Sequence, residues 1–177
     1  MLEEPRRLFL IFHIDTNRIN SRSGLENMNK LERWKEKGLI LLNMSKVAHD
    51  EARAGGDQRR ARKALSNIYS NTMADTPEEQ IQLSAIETIL FPSGIRTQNE
   101  RNDAEIAFNA GKYRAILVTA DGDLLTHRNE LLQLGIKVMT DHEAVALVEK
   151  RITERDKRAR RISQMSGVPC PDWVGID

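Results

Sequence analysis

Residues 8–17 read LFLIFHIDTN, an almost unbroken apolar run closed by a carboxylate, Asp15. A run without polar alternation suits a strand covered on both faces, as in a parallel sheet. Leu39 to Met44, after Gly38, repeats the pattern, as do Ala115 to Thr119 and GIKVMT at 135–140. Helical periodicities lie between these runs. Residues 26–37 carry Met28, Leu31 and Trp34 at three-residue spacing. Residues 76–91 open on Thr76-Pro77, a cap with proline at the first helical position, and are expected to bury Ile81, Leu83, Ile86 and Leu90. Residues 100–110 run into Gly111, read as a C-terminal cap, and a long helix is expected from Asp141 to Ser163. Strands alternating with helices imply right-handed β/α units, hence an α/β fold with a parallel sheet.

The bulk properties narrow the class. With 177 residues, 40% of them apolar and 30% charged, the chain is long enough for one domain with a real core and is expected to be globular. A net charge of +1 says little about partners. The single cysteine, Cys170, excludes an internal disulfide or a multi-cysteine zinc site and fits a reducing, cytoplasmic setting. The opening MLEEPRRLFLIFHID has acids at its head and too short an apolar run for a secretory signal or a membrane span, so no membrane partner is expected.

Four acids terminate or follow the patterned segments: Asp15, Glu51, Asp103 and Asp121. In an open parallel sheet, ligands sit beyond the carboxyl ends of the strands, and Asp15 and Asp121 both stand there. Glu51 lies two helical turns beyond Met44. Asp103 is read into the first turn of its helix, where free N–H groups favour negative charge. Taken singly, each is better explained as a turn residue, a cap or a surface acid. Taken together, carboxylates repel one another and converge stably only around a cation, and hard oxygens select Mg²⁺ or Mn²⁺. No rival catalyst is apparent: His13 lies in the first strand as a core histidine, and His49, His127 and His142 lack a serine or cysteine partner. Leu124 and Leu125 rule out a calcium loop at Asp121-Gly122-Asp123, and no glycine-rich phosphate loop follows a strand.

The strings HIDTN (13–17), SKVAHDEA (45–52), NDAEIAFNA (102–110) and LVTADGDLL (117–125), in that order, resemble those of PIN-domain nucleases, and GIKVMTDHEAV (135–145) resembles the stretch that follows in that family. The likeness spans Leu8 to Val148. It implies a three-layer α/β/α sandwich around a central parallel sheet, with Mg²⁺ or Mn²⁺ bound and RNA cleaved to 5′-phosphate and 3′-hydroxyl ends. Many relatives are toxins of toxin–antitoxin pairs, so an antitoxin protein is an implied partner, as is a homodimer. By resemblance the catalytic acids are Asp15, Glu51 (with Asp50 beside it as the alternative), Asp103 and Asp121. The metal ligands are Asp15, Asp103 and Asp121, with Asp123 as an extra ligand, and Asn17 and Thr119 support them. Residues 1–148 form the nuclease domain, with 149–177 a basic helix and tail packed on it.

Cationic surface for an RNA backbone is expected in two places. KRITERDKRARR (150–161) holds seven Lys or Arg against Glu154 and Asp156, with Arg158, Arg160 and Arg161 as the expected RNA contacts. ARAGGDQRRARK (52–63) holds five against Asp57. Arg18 and Arg22, just past the first acid, are placed for a scissile phosphate. Either run is equally a solvated helix face. The alternative function is a non-catalytic PIN-like module that binds RNA or protein.

Overall fold

A computed structural model of the chain describes residues 6–66, 68–70 (backbone only) and 74–177. The four apolar runs become strands β1 (Leu10–Ile14), β2 (Ile40–Ser45), β4 (Ile116–Val118) and β5 (Lys137–Met139), and a further short strand not expected from the sequence, β3 (Ile68–Ser70), joins them. All pairings are parallel, in the order β3-β2-β1-β4-β5, so β1 is central. Phe12 of β1 lies in register with Leu42 on one side and Ile116 on the other. With neighbours on both edges and helices on both faces, Phe12, His13 and Ile14 are all buried, which explains the lack of alternation. His13 is indeed a core residue, and burial pushes its pKa down to about 4, so it is neutral.

The helices are α1 (Glu26–Glu36), α2 (Lys46–Ala54), α3 (Gln58–Leu65), α4 (Pro77–Leu90), α5 (Gln98–Lys112), α6 (Gly122–Thr126), α7 (Arg128–Gln133) and α8 (Asp141–Ser166), and a 3-10 turn covers Thr16–Arg18. Helix α1 packs on α8 and β2, whereas α2, α3, α4 and α5 contact one another in series. Helices α4, α5 and α8 each begin with a threonine capping box: Thr76 with Glu79, Thr97 with Glu100, and Thr140 with Glu143. From β1 the chain winds outward through β2 and β3, then crosses back to β4 and β5. The winding direction therefore reverses between β1 and β4, and a crevice opens at the carboxyl ends of those two strands.

Four expectations are corrected. The first strand does not include Leu8 and Phe9: Phe9 has a left-handed φ of 55° and its ring is 73% exposed. Ile81 is 70% exposed, because α4 turns Ile86 and Leu90 inward instead. Gly111 is no cap but lies within α5, which closes at Tyr113; a Cβ there would meet Ile136 Cγ1 at 2.8 Å, so close approach to the sheet is what requires glycine. Asp103 falls in the second turn of α5, since Thr97 and not a later residue caps the helix. Trp173, expected to pack back on the domain, lies under the Arg155 guanidinium at 4.3 Å from its ring centroid.

Candidate active site

Asp15 emerges from the end of β1 as the cap of the 3-10 turn and is 3% exposed. Its Oδ1 accepts from the Thr16 backbone N–H at 2.5 Å. Its Oδ2 accepts from the Thr119 hydroxyl at 2.6 Å and from Asn17 Nδ2 at 2.7 Å. Thr119, at the end of β4, in turn accepts the Asp121 backbone N–H at 2.9 Å. Asp121 caps α6 with its own carboxylate, Oδ1 accepting from the N–H groups of Asp123 and Leu124 at 2.9 and 3.0 Å. Thr16 extends the network the other way: its hydroxyl donates to Glu51 Oε2 at 2.7 Å. Acids from β1, α2 and the β4–α6 junction are thus joined through two threonines.

The neighbour Asp50 behaves differently. It pairs with Lys46 and with His49 Nδ1 on an exposed face, so of the two adjacent acids Glu51 is the one turned to the crevice. Asp103 has no hydrogen bond to the other three, yet their field reaches it. Burial raises its pKa to about 7, helped by Asp121, Asp15, Glu51 and Asp123 in that order. Asp15 is raised too, chiefly by burial, against the hydrogen bonds from Thr119 and Thr16. Among the described residues none of the four carboxylates has a Lys or Arg within salt-bridge distance. Nor do any three acidic, histidine or cysteine side chains there already stand at the spacing of a closed metal cage. The acids ring the crevice instead of meeting at a point.

Asn17 bridges the two strand ends, also donating to Thr119 at 3.2 Å and accepting from the Ala120 N–H at 3.0 Å. Asp123 is exposed at the rim. Arg18 does not point freely into the crevice: its guanidinium pairs with Asp141 at 3.5 Å, and Arg22 is exposed within the field of Asp57. Arg158, Arg160 and Arg161 are at the wrong end to line the crevice. Helix α8 starts beside Arg18 and runs away from it, so 17 residues later Arg158 is about 26 Å along the axis, next to Leu10 at the start of β1.

Two participants were not foreseen from sequence. Thr16 adjoins Asp15 in the HIDTN string, and its hydroxyl was the available signal. Arg60 of α3 donates through Nη2 to the Thr16 carbonyl, which brings the 52–63 basic run against the 3-10 turn that follows Asp15. Nothing in the local pattern singles it out from Arg59 or Arg62.

No family model matches the sequence. No curated protein matches it either. Solved structures do match the fold. VapBC2 from Rickettsia felis, crystallised with a DNA fragment from its promoter, superposes with a TM-score of 0.51 at 17% identity, covering 74% of this chain and 98% of that one. VapBC-1 from nontypeable Haemophilus influenzae gives 0.50 at 19% identity, covering 75% and 99%. The fold is that of the PIN domain.

Proposed function

We propose that this protein is a divalent-metal-dependent endoribonuclease, with Asp15, Glu51, Asp103 and Asp121 as its catalytic acids, and that it is the toxin of a toxin–antitoxin pair. One observation carries the reading: two threonines tie three of these acids into a single network at the switch point of the sheet, with no protein cation to balance them. The donor set is of hard oxygens and fits Mg²⁺ or Mn²⁺, with Asp15, Asp103 and Asp121 as ligands and Asp123 at the rim. A bound ion would supply Lewis-acid activation of water and of the phosphodiester. Thr119 fixes the Asp15 carboxylate against the Asp121 backbone, and Thr16 aims Glu51 into the crevice. The Thr119 hydroxyl and the Thr16 N–H also oppose the rise that burial imposes on the Asp15 pKa. Arg59, Arg60 and Arg62 on α3 offer cationic surface beside the crevice for the RNA backbone. The neighbours in fold are toxin–antitoxin complexes, which supports a protein antitoxin as partner. The exposed Ile81 on α4 is the place to look for a homodimer contact. Among the described residues no helix is long and apolar enough to cross a membrane.

The test is cleavage of a labelled panel of structured and single-stranded RNAs with Mg²⁺, Mn²⁺ or EDTA, comparing native protein with Asp121→Asn prepared identically. Cutting should need metal, leave 5′-phosphate and 3′-hydroxyl ends, and fall in the mutant by at least the roughly 10–100-fold typical of a change beside a metal. Undiminished cutting in EDTA, or 2′,3′-cyclic phosphate ends, would exclude it. Metal binding without turnover on any RNA would point instead to the silent binding module.

A further inference from the structure

A second cleft lies at the other pole of the sheet, at the amino ends of the strands. It encloses about 490 Å³, and its walls carry Arg7, Phe9, Arg151 and Arg158. Among the described residues four arginines and one acid, Glu154, line it, and Arg155 is already committed to Asp156 and Asp177. Arg7 has no acidic partner among the described residues, and Arg151 meets Glu154 only at 3.4 Å across an exposed pair of little strength. Phe9 is the unusual member. Leu8 donates to the Leu39 carbonyl at 2.9 Å and Leu10 is in register with Ile40, so the backbone on either side follows β2. Between them Phe9 alone takes a left-handed φ of 55°, which turns its ring outward to 73% exposure. A bulky residue is disfavoured there, and glycine would be at ease. The φ is held at an exposed aromatic residue that lines the cleft.

We propose that this cleft is a second nucleic-acid site, distinct from the carboxylate crevice, that grips single-stranded RNA by phosphate contacts to Arg7 and Arg151 and by stacking a base on Phe9. Guanidinium groups around one exposed aromatic face match the two surfaces of a single strand, its charged backbone and its unpaired bases. RNA as the natural ligand rests on the nuclease reading above, but the binding is measured without cleavage.

A fluorescent 20-nucleotide uridine strand is titrated in EDTA against native protein, Phe9→Gly, Phe9→Trp and Arg7→Ala/Arg151→Ala, with a DNA strand of the same length in parallel. Phe9→Gly should weaken RNA binding about five- to a hundredfold while leaving the melting temperature unchanged or higher, since glycine relieves the strained φ. Phe9→Trp should retain the affinity. The double arginine variant should lower the slope of log affinity against log salt by about 1.4, or 0.7 per lost phosphate contact. Asp121→Asn should bind as native does, which separates this cleft from the catalytic one. Equal affinity and salt slope in native, Phe9→Gly and the arginine variant would overturn the proposal. Binding of the DNA strand with loss of RNA binding would overturn RNA as the ligand.

Discussion

At the carboxyl end of β4, Asp103 is the acid that the fold disfavours most openly. Its pKa of about 7 stands well above the ordinary 3.8, through burial first and then the neighbouring acids. Between those values the folded chain holds a proton that the unfolded chain has released, so this residue makes stability fall as pH rises. His13, buried and neutral with a pKa near 4, acts in the opposite sense below its ordinary 6.5. The comparison that isolates Asp103 is therefore with Asp103→Asn. In metal-free buffer the variant should melt above the native protein, and the gap should widen from pH 5 to pH 8. A constant gap would mean that Asp103 is not held as described. Added Mg²⁺ or Mn²⁺ should close the gap by stabilising only the native protein, and should do so better at pH 8 than at pH 6, where the proton competes. The position of Asp15 and Asp121 at the strand ends was legible, because both close apolar runs. Thr16 and Arg60 were not, because their roles come from contacts with Glu51 and the Thr16 carbonyl that only the assembled sheet creates.

Among the elements, four strands were readable from unbroken apolar runs, α4 from its Thr76-Pro77 cap and α1 from its spacing, whereas the short β3 was not read. Boundaries failed where packing outweighed the local signal. Gly111 looks like a helix stop because glycine favours one, yet α5 continues past it to reach Lys112. Its job is to let α5 lie against Ile136. Gly111→Ala tests this with opposing terms. Better helix propensity should contribute about 1 kcal/mol, whereas a 2.8 Å approach to a stiff, buried isoleucine should cost about 1–3 kcal/mol. Overpacking should win, leaving the protein about 1 kcal/mol less stable in denaturant titration. A more stable variant would show that α5 can shift away at no cost. Ile81 was misread for a related reason: spacing alone does not say which part of an apolar stripe a neighbour covers.

For the whole molecule, the last turns of the chain are tied down by buried charge. Arg155 and Asp156 are 4% and 5% exposed. Arg155 meets Asp156 at 2.6 Å and Asp177 at 3.2 Å, while Asp156 accepts the Gly175 N–H at 2.8 Å. Arg6 joins the same Asp177 at 2.6 Å, which stitches the two ends of the described chain together. Replacing Arg155 with Met keeps the bulk but strands the buried Asp156 carboxylate and leaves Asp177 to Arg6 and Lys37. It should cost about 3–5 kcal/mol and free Trp173, seen as a red shift of its fluorescence. An unchanged melting temperature would show the tail to be loosely held. The sequence marked this region only as basic, since the pairing partner of Arg155 lies 22 residues on.

Helix α8 joins the two poles without a break. Its 26 residues contain neither glycine nor proline, and at 1.5 Å per residue they make a strut about 39 Å long. One end is pinned by Arg18 at the carboxylates and the other carries Arg158 into the far cleft. On the function and the second site proposed above, a strut of fixed length would make the molecule a ruler: a strand held at the far pole and cut at the near one would be cut at a set count of nucleotides from its anchor.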